Sequence, residues 1–144
     1  MILYCDTSAL IKLYLLEAQS EAVKALVTST EAVAACRIAW AEAFAALSRR
    51  AREVPIDTPA IAKAKSALAA DWPTYLIIEV SQPVVAQAGE FADTFALRGY
   101  DSVQLAAAFE TRRVSQLPVT FACFDNRLNK AARLLGMETP FITA

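Results

Sequence analysis

Apolar residues fall along this chain in short continuous runs and in helical stripes, and the two patterns alternate. Residues 2–5, ILYC, form a short aromatic-containing run ended by the polar turn Asp6-Thr7-Ser8, which marks a buried strand. Thr7 or Ser8 can cap a helix running to about Gln19, and Ser20, followed by apolar Val23, Leu26 and Val27, opens a second by the same logic. Ala32–Cys36 reads as a strand, and Ile38–Arg52 as a helix with Trp40, Phe44 and Leu47 on one face. The prolines and aspartate of VPIDTPAI mark a loop, with Pro59 placed in the first turn of a helix reaching about Trp72. TYLIIEV, residues 74–80, has the strongest strand composition in the chain. Pro83 opens a helix toward Arg98, Gly99 breaks it, and DSVQLAAAFETRR forms the next. Val119–Phe124 is a further strand, and DNRLNKAARLLG a helix with Leu128, Ala131 and Leu135 on one face, closed by Gly136. Phe141 and Ile142 suit a short edge strand.

Strands interleaved with helices predict an α/β three-layer sandwich, because parallel strands need crossover connections that cover both faces of the sheet. No repeat, low-complexity tract or linker divides the chain, so residues 1–144 are expected to form a single domain. In such sheets ligands bind outside the carboxyl ends of the strands. Asp6 directly follows the first strand and Asp125 directly follows VTFACF, so carboxylates far apart in sequence are expected at one edge.

Composition narrows the chemistry. Hydrophobic residues make up 56% of the chain, yet no apolar run approaches the length needed to span a bilayer, and no basic segment precedes the first apolar stretch. A cytoplasmic protein without membrane association is the expectation. Cys5, Cys36 and Cys123 are widely spaced in apolar sequence and suit reduced core positions. The chain contains no histidine, which removes Ser-His and Cys-His nucleophilic machinery and imidazole metal ligands. A net charge of −1 argues against a protein that coats nucleic acid nonspecifically, while leaving room for a local basic patch.

Each candidate acid has two readings. Asp6 is an N-cap or a metal ligand, and Ser8 could cap in its place. Asp101 with Gln104 three residues on resembles a capping box, but VQLAAAF is apolar almost all round, so this carboxylate is expected at the rim of the core. Glu42 lies opposite Trp40, Phe44 and Leu47, either on a solvated face or within the apolar collar of Ile38, Ala39, Ala45 and Ala46. Asp125 can cap the last helix. Together these acids would repel one another unless a divalent cation lay between them, and an all-oxygen set favours Mg²⁺ or Mn²⁺. Such a metal suits phosphodiester hydrolysis.

The motifs CDTSAL, AWAEAFAAL, LRGYDSVQLAAA and FACFDNRLNKAARLLG, in this order and spacing, resemble the PIN-domain family, and within it the VapC-like toxins of bacterial toxin–antitoxin pairs. The resemblance covers nearly the whole chain. It implies an α/β sandwich with Mg²⁺- or Mn²⁺-dependent endoribonuclease activity, a homodimeric state, and a cognate VapB-like antitoxin. It carries catalytic roles onto Asp6, Glu42, Asp101 and Asp125, metal ligation onto Asp6, Asp101 and Asp125, and supporting roles onto Ser8 and Asn126. Arg127 and Lys130, three apart on the last helix, are candidates for RNA phosphates, against an ordinary solvated face. Arg49, Arg50 and Arg52 form another basic cluster, open to antitoxin or RNA. The competing readings are a structure-specific DNA nuclease and a catalytically silent PIN fold serving as an RNA-binding or protein-interaction module. A haloacid-dehalogenase-like phosphatase needs a second acid two residues after the first, where this chain has Ser8.

Overall fold

The computed structural model describes residues 1–143 and is built on a parallel four-stranded sheet in the order β3-β2-β1-β4. The strands are β1 (Ile2–Cys5), β2 (Ala32–Cys36), β3 (Leu76–Ile78) and β4 (Val119–Ala122). Between and after them run α1 (Thr7–Lys12), α2 (Ser20–Val27), α3 (Ala39–Glu53), α4 (Thr58–Asp71), α5 (Gln82–Phe95), α6 (Gly99–Ser115) and α7 (Asn126–Leu134). Short 3₁₀ turns at Pro55–Asp57 and Trp72–Thr74 bracket α4.

The alternation of side chains along the strands separates two cores. Ile2, Tyr4, Ala34, Cys36 and Phe121 face one side, where they pack with Phe91, Leu105 and Leu128 of α5, α6 and α7. Leu3, Cys5, Val33 and Ala35 face the other, against Leu10, Ala39, Ala43 and Leu68 of α1, α3 and α4. A satellite cluster, Leu47, Ile61 and Ala64, joins α3 to α4. The three-layer sandwich expected from the sequence is therefore the observed fold. Each fully buried leucine among these, such as Leu3, Leu10 or Leu105, contributes about 1.5–3 kcal/mol of transfer free energy.

Several local expectations are corrected by tertiary contacts. The first helix ends at Lys12 rather than near Gln19, because Tyr14 and Leu15 leave it to pack on the satellite cluster. Ser20 does not cap α2. Gln19, in the left-handed region at φ 71°, takes the cap position, while the Ser20 hydroxyl accepts from the Glu17 amide (3.0 Å) and donates to the Leu15 carbonyl (3.1 Å). The strand expected over residues 74–80 shortens to Leu76–Ile78, since it lies at the sheet edge and pairs with β2 alone. Ala96 at φ 54°, and not Gly99, ends α5; Gly99 opens α6. Phe141 and Ile142 form no strand: Phe141 stacks on Phe124 with ring centroids 4.5 Å apart, and the sheet edge is instead extended by a single bridge between Thr120 and Glu138. Cys5, Cys36 and Cys123 are buried free thiols, as expected.

The strand order reverses at β1, which has β2 on one side and β4 on the other. That switch point opens a crevice at the carboxyl ends of the strands. Asp6 leaves β1 directly beside β4, its amide donating to the Ala122 carbonyl at 3.1 Å.

Candidate active site

Asp6 has extended backbone, φ −71° and ψ 174°, and caps α1: its Oδ1 accepts from the Ala9 amide at 3.1 Å and from the Ser8 hydroxyl at 2.6 Å. The cap is therefore Asp6 and not Ser8 or Thr7, and capping does not exclude a second role for its other oxygen. Ser8 Oγ also accepts from the Phe124 amide at 3.3 Å, so one hydroxyl ties the exit of β1 to the exit of β4. The Asp6 side chain is almost wholly buried, at 7% exposure. Burial pushes its carboxyl above the usual range; hydrogen bonds from Ser8, Cys123 and Ala9 oppose this, and the negative charge of Asp101 adds to it. Asp6 and Asp101, 95 positions apart in sequence, therefore feel each other across the crevice.

Glu42 sits in the first turn of α3, whose buried stripe is Ala39, Ala43 and Leu47. Trp40 and Phe44 flank that stripe on one side, packed together and with Trp40 against Trp72; Glu42 flanks it on the other. This half-buried carboxylate points inward. Its Oε1 accepts from the Thr7 hydroxyl at 2.9 Å and from the Gln104 amide at 2.8 Å. The solvated-face reading of Glu42 does not hold.

Asp101 lies within the first turn of α6 and not at its cap, which is Arg98. The capping box with Gln104 does not form. Arg98 Nε reaches Asp101 Oδ2 at 3.4 Å, supplying a nearby counter-charge, and the Gln104 side chain turns into the core. Glu42 and Asp101 line one cleft of about 790 Å³, with Arg98 and Tyr100 at its rim and Val85, Ala88 and Ala92 of α5 forming an apolar wall. Tyr100 is 67% exposed there.

Asp125 is exposed and caps α7, its Oδ1 accepting from the Leu128 amide at 3.0 Å. Between Asp125 and Asp6 sits the Cys123 thiol, which burial and then the Asp6 charge push far up, so it remains a neutral thiol. Asn129, fully buried, donates to the Cys123 carbonyl at 2.8 Å and stiffens this turn. Asn126 faces elsewhere: its amide donates to Thr143 Oγ1 (2.6 Å), and its Oδ1 accepts from the Thr143 amide (2.9 Å), tethering the C-terminal segment. Arg127 reaches toward the Ala96 carbonyl at 3.5 Å, in the turn between α5 and α6. Lys130 lines a separate hollow with Arg133, Leu134, Ile142 and Thr143. The two cations expected to share a face therefore have different neighbours. Arg49 and Arg50 are paired on the surface with Glu53 and Asp57.

Thr7 and Gln104, which the sequence offered only as capping residues, and Tyr4, which it offered only as part of a strand, join this site. Tyr4 is fully buried, and its phenol pKa is held well above the ordinary value, first by burial and then by the charges of Cys36, Asp6 and Glu42. Its hydroxyl donates to Gln104 Oε1 at 2.6 Å. The signal available in the sequence was a glutamine inside the otherwise apolar helix VQLAAAF.

Among the described residues, no three acidic, histidine or cysteine side chains form a ready-made metal cluster. The donor set nevertheless fits Mg²⁺ or Mn²⁺. Mg²⁺ keeps several waters and is commonly held by one or two protein carboxylates, and Asp6 is a buried carboxylate destabilised by Asp101, which a cation between them would relieve.

Comparison with known proteins identifies the family and the fold. Residues 3–134 match the sequence model of the PIN domain. The chain is 32% identical over 135 residues to Ribonuclease VapC45 of Mycobacterium tuberculosis (strain CDC 1551 / Oshkosh), covering 94% of this chain and 92% of that protein. Among solved structures, a toxin-antitoxin complex from Klebsiella pneumoniae superposes with a TM-score of 0.66 at 20% identity, over 99% of this chain and 100% of that one. VapC20 of Mycobacterium tuberculosis, described as a Sarcin-Ricin loop cleaving toxin, superposes with a TM-score of 0.64 at 21% identity, over 90% of this chain and 94% of that one.

Proposed function

This chain belongs to the PIN-domain family, and from that premise we propose that it is a divalent-metal-dependent endoribonuclease, the toxin of a toxin–antitoxin pair. The observation that carries the reading is the inward turn of Glu42, which shares its cleft with Asp101 and is joined through Thr7 to the turn holding Asp6. The ribonuclease named above covers nearly the whole chain, which supports RNA as substrate.

In this reading Asp6 and Asp101, with Asp125 at the crevice edge, would hold Mg²⁺ or Mn²⁺. When bound, the metal activates water and neutralises charge on the phosphate. The chain's own residues do the rest. Glu42 accepts a proton from, or orients, the attacking water. Ser8 and the Ala9 amide fix Asp6 by holding one of its oxygens. Arg98 restrains Asp101 from the solvent side. The site works in the cytoplasm, and a VapB-like antitoxin restrains a homodimeric toxin. No helix among the described residues is long and apolar enough to cross a membrane.

The direct test is cleavage of a mixed cellular RNA pool with Mn²⁺ and with excess EDTA. Cleavage only with metal is expected, and equal cleavage in EDTA would overturn the metal-dependent mechanism. Arg127, which reaches the α5–α6 turn beside Arg98, is assigned to phosphates flanking the scissile bond, with Lys130 further along the same helix. Arg127→Ala should weaken RNA binding uniformly across sequences and reduce the slope of log affinity against log salt by about 0.7, the loss of one single-strand phosphate contact. An unchanged salt slope would remove Arg127 from the binding surface.

A further inference from the structure

Glu42 is held by a buried chain of uncharged groups. Tyr4 stacks on Phe121 of the neighbouring strand, centroids 5.7 Å apart and planes 9° from parallel, so its hydroxyl is fixed in the core. That hydroxyl donates to Gln104 Oε1 at 2.6 Å. With Oε1 engaged as an acceptor, Nε2 of the same amide is turned to Glu42 Oε1 (2.8 Å) and to Thr7 Oγ1 (3.3 Å). Thr7 donates to the same Glu42 oxygen at 2.9 Å. A flipped amide would set its carbonyl oxygen against the carboxylate, acceptor against acceptor, so Glu42 fixes the amide orientation and with it the donor role of the Tyr4 hydroxyl, which anchors the far end. Both donations land on Oε1; among the described residues Oε2 receives none.

We infer that Gln104 is a positioning residue for the reaction: anchored by Tyr4 and assisted by Thr7, it pins one oxygen of Glu42 and leaves the other as the acceptor on the wall of the cleft. This rests on the ribonuclease reading and adds to it a device that sets which carboxylate oxygen works. Gln104 is 3% exposed and does not line the cleft, so it acts through Glu42 and not on substrate. A buried polar side chain in an alanine-rich helix is costly unless fully bonded, and both ends of this one are.

The test is a double-mutant cycle in single-turnover cleavage of a defined RNA at saturating Mn²⁺. Gln104→Leu should lower kcat by about 10–100-fold, the usual size for loss of an outer hydrogen bond to a working ligand or acid, with KM unchanged. In a Glu42→Ala background the same substitution should cost nothing further, because its effect passes through Glu42. An equal loss in both backgrounds, or a change in KM alone, would overturn the inference. Should Gln104→Leu fail to fold by circular dichroism, Thr7 and Tyr4 decide the matter. Thr7→Ser, which keeps the hydroxyl, should retain kcat, whereas Thr7→Val and Tyr4→Phe should lower it; unchanged kcat in the latter pair overturns the proposal. If the wild-type chain cuts no RNA, the ribonuclease reading fails separately. The positioning is then read from the Gln104 side-chain amide resonances, which must move in Glu42→Ala if the contact is made and stay in place if it is not.

Discussion

Asp6→Asn is expected to reduce RNA cleavage by orders of magnitude while leaving the protein as stable as the wild type, or more so, in EDTA. Asparagine caps a helix about as well as aspartate, so the bond to the Ala9 amide survives and α1 keeps its start. What changes is charge. In the metal-free protein, burial and Asp101 raise the Asp6 pKa, so the folded state holds a proton more tightly than the unfolded chain does. The stability this proton contributes is fully present below the ordinary aspartate value of about 3.9 and is lost as pH rises through the raised folded-state value. Asparagine has no such loss, so the stability advantage of the variant in EDTA should grow across that window and then level off. Mn²⁺ should reverse the ranking. The wild type should gain about 2.7 kcal/mol when free metal exceeds its Kd a hundredfold, and the variant far less. Chemical denaturation at several pH values, with and without Mn²⁺, measures all of this. An Asp6→Asn protein that cuts RNA at near wild-type rate would reduce Asp6 to its capping role.

Glu42→Gln should also abolish most cleavage, by about 10²–10⁴-fold if Glu42 is the general base, but through a different step. Glutamine keeps the shape and an oxygen that Thr7 and Gln104 can still bond, so folding should be unaffected. Because Glu42 is held by protein donors and assigned to water, the variant should retain the stabilisation given by Mn²⁺. The two substitutions thus separate on one assay: loss of metal-linked stability with Asp6→Asn, and its retention with Glu42→Gln. Loss of Mn²⁺ stabilisation in both would make Glu42 a ligand instead.

The sequence by itself determined the fold class and the edge of the sheet at which the candidate site lies. Short apolar runs of strand length ending at Asp6 and near Asp125 read as buried strands, and parallel strands between helices leave both acids at carboxyl ends. The absence of histidine also removed imidazole from the candidate nucleophiles and metal ligands. Helix ends were poorly legible, because capping is decided by which side chain finds a partner. Ser20 and Gln104 had the composition of caps, yet packing gave Ser20 the Leu15 carbonyl and Gln104 the pair Tyr4 and Glu42. The placement of Glu42 was least legible of all. Helical periodicity fixes the angle between Glu42 and Trp40 on α3, but not which flank meets the crevice; that depends on Trp72 taking the Trp40 side and on Thr7 and Gln104 waiting at the other. Periodicity is local, whereas the partners of a polar side chain come from anywhere in the chain: Thr7 lies 35 positions from Glu42 and Gln104 lies 62 from it, and only the packed sandwich brings them within bonding distance.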